Sequence, residues 1–490
     1  MKRNRKLAIL VILLVCISLA AFGVNKYEEQ KEIIKNSDEI ILVVAGDKVN
    51  TLSWECDTGS FGFHRNDEGK WLYDEDEAFP VDEEKIGALL GLFEEFGVSF
   101  IIEEVEDFGQ YGLDTPVCTI RMETEEKNYE IQLGNFSAMD SERYVSIGDG
   151  NAYLVKKDPL EQFEIEISDM IKHDEIPKLE KVTGISFSGE EPGRIIYEED
   201  SVNSYLKEDV YFMEQGEEHL PLDTARVKNY LDAIRNLDMK DYINYNVSEN
   251  DLASYGLDAP ELSITVDYTV TEEGTDEEKT ESFVLNIARD PKERAEEEKK
   301  AEKRENQEKT DEESEEKEIT AYARAGESQI VYQLSTEEYE SLMDRSYDSL
   351  RHQEMFWADF KDVSELEILL EGNTYTITSD KKGDERVYRY LDEELELADI
   401  RSAIKGLRAE TFTDETPDGK EEISLTIRMD NDNYPETTIQ LYRYNGEECI
   451  AVVDREPVAF VTRASVVDLV EAVNGVVLKQ RSDKKAGGEV

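Results

Sequence analysis

Two hexapeptides, Tyr111-Gly112-Leu113-Asp114-Thr115-Pro116 and Tyr255-Gly256-Leu257-Asp258-Ala259-Pro260, mark this chain as internally repeated. Before the first lies an apolar stripe at helical spacing, Ile86, Leu89, Leu90, Phe93 and Phe96; before the second lie Val227, Tyr230, Leu231, Ile234 and Leu237 at the same offsets. The stripe returns with smaller residues at Ile400, Ala403, Ile404 and Leu407. Ile86 and Val227 are 141 residues apart, Val227 and Ile400 173. Of that second interval, 28 residues form an almost purely charged segment, Pro291 to Glu318, and without them it is 145. Such a period exceeds that of solenoid repeats and implies tandem domains. A length of 490 residues agrees, at roughly 150 residues per domain.

Each copy opens on a strand with shared apolar spacing: Val49 and Leu52, Val182 and Ile185, Val363 and Leu366. Alternating β-branched and aromatic residues about Asn66-Asp67-Glu68-Gly69 and Lys381-Lys382-Gly383-Asp384 predict hairpins. Asp82 and Asp223, each shortly after a proline, predict helix N-caps; the third helix has a poorer cap. After the Tyr-Gly-Leu-Asp-x-Pro loop come strand pairs, Val117 to Met122 with Tyr129 to Leu133 and Leu262 to Tyr268 with Phe283 to Ile287. The third copy lacks the loop. Its pair is Ile423 to Met429 with Thr438 to Tyr442; Thr426-Ile427-Arg428-Met429 matches Thr119-Ile120-Arg121-Met122, and Ile439-Gln440-Leu441 matches Ile131-Gln132-Leu133. Leu160/Phe163, Tyr339/Leu342 and Val466/Leu469 mark short closing helices, and Lys172-His173-Asp174-Glu175-Ile176 resembles Arg351-His352-Gln353-Glu354-Met355 between copies. The expected fold is α+β: three tandem modules at 40–172, 176–350 and 356–480, each a mostly antiparallel sheet with a packed amphipathic helix. The charged insertion 291–318 cannot join a core and reads as a solvated loop or partly helical projection; 481–490 reads as a disordered tail.

The N-terminal 25 residues read as a cytoplasmic tip and signal anchor. Lys2, Arg3, Arg5 and Lys6 precede an uncharged run from Leu7 to Val24, just long enough for a transmembrane helix. The basic flank places the N-terminus in the cytoplasm and everything from about residue 26 outside it. A cleaved signal peptide, with Ser18-Leu19-Ala20 as a small-x-small site, gives the same location. Lipidation at Cys16 is disfavoured by Val15.

With 55 basic against 115 acidic residues, a net charge of −60, the chain repels nucleic acid and anionic headgroups. Cys56, Cys118 and Cys449 are far apart and form no CxxC pair, so buried free thiols are expected. His64, His173, His219 and His352 are scattered without metal-ligand spacing. Asp430-Asn431-Asp432-Asn433 resembles a calcium loop only at its start, since Leu441 stands where the twelfth-position glutamate belongs. Neither a phosphate-binding glycine loop nor a nucleophile elbow occurs. The Tyr-Gly-Leu-Asp-x-Pro segment reads as a turn in which Gly supplies a positive φ and Tyr111 or Tyr255 packs against the preceding helix. No catalytic, metal or cofactor-binding residues are assigned.

The basic-flanked anchor, the Tyr-Gly-Leu-Asp-x-Pro loop and the basic link before a Val-x-x-Leu/Ile strand together resemble a bacterial domain-of-unknown-function family, number 4340. The resemblance covers residues 1 to 350 and, more loosely, the third copy. It implies a membrane-anchored, extracytoplasmic auxiliary subunit, some members being linked with ABC-transporter components of the gliding-motility type; it brings no active-site residues. The expectation is a non-enzymatic accessory protein of a transporter or envelope assembly, with the membrane and an envelope protein as partners. The alternatives are a surface module binding glycan or cations and, behind it, an extracytoplasmic hydrolase.

Overall fold

A computed structural model describes residues 39–103, 105–139, 141–155, 157–271, 278–305, 318–383 and 385–486. The expected anchor lies outside them; among the described residues no helix is long and apolar enough to cross a membrane. Two compact units divide the chain, Met1–Asp174 with Asn244–Asn246 and Glu175–Ile243 with Val247–Val490. The first holds an 8-stranded sheet, the second two sheets of 9 strands each.

The three sheets share one strand order. A central strand (Val49–Cys56, Lys181–Gly189 or Val363–Leu370) begins a meander running to one edge. The chain then passes through the amphipathic helix to a short strand on the opposite edge: Phe100–Ile102, Tyr242–Asn244 or Ala409–Phe412. From there it crosses back over three strands to pair antiparallel with the central strand and meander out again. A β-bulge follows the first valine of every central strand, at Val49/Thr51, Val182/Gly184 and Val363/Glu365. That common irregularity fixes which residues correspond between copies, because register decides which face each side chain takes.

The correspondence corrects one sequence match. Trp54, Phe187 and Ile368 are equivalent and face Ile120, Ile264 and Leu425. Thr426-Ile427-Arg428-Met429 is therefore slipped by two residues from Thr119-Ile120-Arg121-Met122. A slip of two leaves the buried face unchanged, since side chains alternate with period two. Ile131 and Ile439, by contrast, face Ile120 and Leu425 and are true equivalents.

Asp82 caps its helix by accepting from Glu84 N and Lys85 N at 3.0 and 3.3 Å, and Asp223 accepts from Ala225 N at 2.8 Å. Leu397, at the third, makes no side-chain cap bond. The helices Glu83–Gly91, Thr224–Arg235 and Ala398–Lys405 are shorter than their stripes. Phe96 belongs to a strand, Phe96–Val98, that pairs with Glu39–Leu42, so strand pairing overrides the continuing helical period. Ile86, Leu89 and Leu90 are buried on one helix face, each side chain worth about 1.5–3 kcal/mol.

Two further expectations are corrected. Cys56 and Cys118 are not free: they face each other across the central pair and form a disulfide, Cα–Cα 4.2 Å, while Cys449 is buried and free. The tail expected to be disordered from 481 is helical as far as Ala486, continuing the helix Arg463–Ala486; 487–490 lie outside the described residues.

The charged insertion begins as a helix, Pro291–Glu305, with Asp290 accepting from Lys292 N and Glu293 N at 2.9 and 3.0 Å. Its root is tied down by Glu261, whose side chain is 4% exposed. That carboxylate accepts from Arg289 Nε (3.3 Å), Arg294 Nη1 (2.9 Å) and Tyr339 Oη (2.8 Å). The equivalent residue in the first module is Val117, where no insertion follows. Residues 306–317 lie outside the described set.

Candidate functional site: a polar link beneath an acidic cleft

The repeated hexapeptide is structural. Gly112 and Gly256 sit at φ +68° and +72°, where the chain turns out of a short 3₁₀ segment. Leu113 N and Leu257 N each donate, at 3.0 Å, to the carbonyl five residues back, Phe108 O and Leu252 O. The tyrosines do not lie on the preceding helix. Tyr111 packs on Tyr144 at 4.9 Å and Tyr255 on Tyr322 at 5.2 Å, equivalent positions in the strands being crossed. The third copy has Ile450 there, which explains why it dispenses with the motif tyrosine. A methyl group on Gly112 would fall 2.5 Å from Asn135 Oδ1, and one on Gly256 3.2 Å from Ala288 Cβ. Gly112→Ala and Gly256→Ala are each expected to destabilise by about 1–2 kcal/mol, measured by urea midpoint. Equal stability would show that the turn tolerates a side chain.

A buried cluster of polar side chains lies within the second unit, where the second sheet meets the third. His352, the second histidine of the repeated link, is buried and places Nε2 3.0 Å from both carboxylate oxygens of Asp209. Ser204 Oγ donates to Asp209 Oδ2 at 2.5 Å, and the imidazole stacks on Trp357 at 4.9 Å with planes 9° apart. Asp223, the helix cap, approaches His352 Nδ1 at 3.9 Å. The residue types are those of a hydrolytic triad, but their order is wrong for one. Here the carboxylate stands between hydroxyl and imidazole, so the histidine cannot take the serine proton, which triad chemistry requires. The arrangement satisfies buried polar groups.

The rest of the link is equally occupied. Arg351 lies over the rings of Tyr347 (4.7 Å) and Phe412 (4.3 Å), and Arg408 Nη1 meets Glu354 Oε1 at 2.5 Å. Met355 N bonds Leu407 O and Ala409 N bonds Gln353 O at 2.9 and 2.8 Å. Tyr205 completes the seam, edge-on to Trp357 at 4.7 Å, 4.4 Å from Tyr434, and donating to Thr437 Oγ1 at 3.4 Å.

At Tyr205 opens a cleft of about 600 Å³, whose lining includes Asp200, Glu208, Asp359, Lys361, Asp430 and Asp432. It includes the calcium-like turn, which the structure resolves as an Asx turn. Asn431 Oδ1 accepts from Asn433 N and Tyr434 N at 3.0 and 3.1 Å, and Asp430 is paired with Arg386. Among the described residues no three His, Cys, Asp or Glu side chains converge as metal ligands would. At Asp359, as at Asp290 and Glu338, burial raises the carboxyl pKa, but hydrogen bonds from backbone amides and from side chains, joined at Asp359 and Asp290 by nearby lysine charge, together hold the group below the usual range. Lys361, bonded to Asp359, is raised in turn. These shifts favour fixed charges, the opposite of what a general acid at neutral pH needs. His64 and His219 pair instead with Asp74 (2.6 Å) and Glu198 (2.7 Å) on the sheet hairpins. His173 lies in the other link, in the first unit.

Burial pushes the Tyr205 phenol up to about 12. A proton held more tightly in the folded state stabilises fully below the unfolded pKa near 10 and is lost as pH rises from there towards 12. The second unit is therefore expected to weaken between pH 10 and 12, and Tyr205→Phe to flatten that dependence in pH-resolved thermal melts. An unchanged alkaline slope would argue against it.

The fold and the site define a thrice-repeated α+β scaffold with a buried polar link between its second and third sheets. The chain belongs to the family described as domain of unknown function (DUF4340), whose model matches residues 71–210 and 213–426. Each match opens on the third strand of a sheet, Trp71–Tyr73 or Tyr211–Gln215, and the second crosses the Arg351–Met355 link into the following sheet. Comparison with curated proteins and with solved structures gave no match.

Proposed function

We propose that this chain is a non-enzymatic accessory protein, anchored by residues 7–24 with its sheets outside the cytoplasm, that works by contact with another envelope protein such as the permease of an ABC-type transporter. The Cys56–Cys118 disulfide carries this reading, because such a bond persists in oxidising compartments and is rare in the cytosol. It agrees with the orientation set by the basic flank before the apolar run. The buried polar side chains support it too: Asp209, His352, Ser204 and Glu261 are spent on one another and on the links between elements. The test is crosslinking and co-purification of the full chain from membranes in mild detergent. A specific membrane partner is expected; recovery of the chain alone would count heavily against the proposal.

A further inference from the structure

The strand that leads into the first module, Glu39–Leu42, pairs with Phe96–Val98 and, among the described residues, with no other strand. Its other edge therefore presents backbone N–H and C=O groups, a template for a further strand. Of the devices that protect such an edge it has a bulge between Ile40 and Leu42, but neither lysine nor proline. Ile40 and, just beyond the strand, Val43 are 47% and 65% exposed. Ile40 also borders a groove of about 690 Å³ whose lining includes Leu92, Phe96 and Val98.

The third module shows the same position under cover. Phe93 and Leu407 lie at the same offset from the equivalent Ile86 and Ile400, and their carbonyls accept from Val44 N (2.8 Å) and Met355 N (2.9 Å). Aligned on those two amides, Ile40, Ile41 and Val43 stand where the third module has Arg351, His352 and Glu354. Those three side chains are polar, yet only 21%, 9% and 24% exposed, and Asp209 of the second module meets His352 there. The first module reverses the pattern. Its residues are apolar, two of them lie open, and among the described residues none covers them. Adjoining apolar side chains left open beside an unpaired strand edge mark a contact surface.

We propose that this edge pairs antiparallel with the same edge of a second copy of the chain. Residues 40–46 carry no charge, so pairing within them sets no like charges opposite one another. A net charge of −60 makes contact between copies costly over charged faces. An antiparallel pair of identical strands is related by a two-fold axis, so the contact is self-complementary and closed. The apolar run ends at Val24, 15 residues before Glu39, a reach of at most about 50 Å. Two copies anchored in one membrane thus hold their edges in one layer, and a two-fold axis along the membrane normal keeps both anchors on the same side. The inference rests on the anchor of the proposed function for that orientation alone.

The test is the mass of the full chain in mild detergent, read by light scattering over a dilution series, with hydrogen exchange on the same samples. The native chain has twice the mass of one copy when concentrated, and exchange at residues 40–43 slows as the dimer forms. Ile40→Lys with Val43→Lys supplies the missing edge lysines and raises the dissociation constant about a hundredfold, with the thermal midpoint unchanged because both positions are exposed. If that pair lowers the midpoint, Val43→Lys alone, at the more exposed position, carries the test. Ile40→Val with Val43→Ile keeps the dimer. A single-copy mass at every concentration, or exchange at 40–43 that ignores concentration, overturns the proposal. So does a dimer that survives the lysines, since residues 7–24 are then enough to hold it. A complex with a different protein that the lysines release puts that protein, and not a copy, on the edge. Carbonate extraction of membranes reads the anchor separately: a chain released by it defeats the anchor, while a lysine-sensitive dimer of the released chain leaves the edge pairing standing.

Discussion

Replacing Cys56 and Cys118 together with serine is expected to lower the stability of the first unit by about 4 kcal/mol. The two cysteines are 62 residues apart, and a cross-link over such a loop removes about that much chain entropy from the unfolded state. The thermal midpoint of that unit should fall by roughly 10 °C. Dithiothreitol should reproduce the shift in the native chain and do nothing further to the double variant, while the transition of the second unit stays where it is. Titration of the denatured, unreduced chain should find at most two of its four cysteines reactive. Four reactive thiols in protein taken directly from the membrane fraction would remove both the bond and the argument for an oxidising compartment built on it.

Asp209→Ala is expected to cost about 3 kcal/mol in the second unit, because it deprives two buried donors at once. Ser204 Oγ and the His352 imidazole both depend on that carboxylate, and a buried group left without its partner costs about 1–3 kcal/mol. Asp209→Asn keeps one acceptor oxygen and should cost clearly less. Hydrogen exchange separates the effect from a general loss of stability: protection should fall first in the link at 352–357 and around Tyr205, the seam of the second and third sheets. Uniform loss of protection over all three strand meanders, or equal costs for alanine and asparagine, would mean that the network does not hold that seam.

The repeat was legible because periodicity is local. Apolar spacing at 3.6 and 2.0 residues, aspartate caps and glycine turns are each encoded within a few positions, so helices, hairpins and post-loop strands could be placed from the chain alone. What failed were inferences needing register. The identity of residues 119–122 with 426–429 suggests correspondence, whereas the shared bulge shows a slip of two. The cysteine pair was missed for the same reason. Once Cys56 is placed at the end of a central strand and Cys118 at the start of its antiparallel partner, the register makes them neighbours, but separation in sequence alone does not. The motif tyrosines were assigned to the helix before them because the crossing over three strands, which brings Tyr144 and Tyr322 beneath them, is a property of sheet order. The candidate site was least legible. His352 was marked by the repeat, yet its partners Asp209 and Ser204 lie more than a hundred residues away on another element.

By itself the sequence determined the number of repeats, the order of their elements, the position of the charged insertion and the excess of acidic residues, all of which are written in composition and short-range pattern. Only the tertiary structure decided which strand residues are equivalent, which cysteines are bonded, and that His352 meets Asp209 and Ser204 across the seam of two sheets. Those facts depend on strand register and on packing between distant segments, where the choice among alternatives is made by contacts that no local pattern contains.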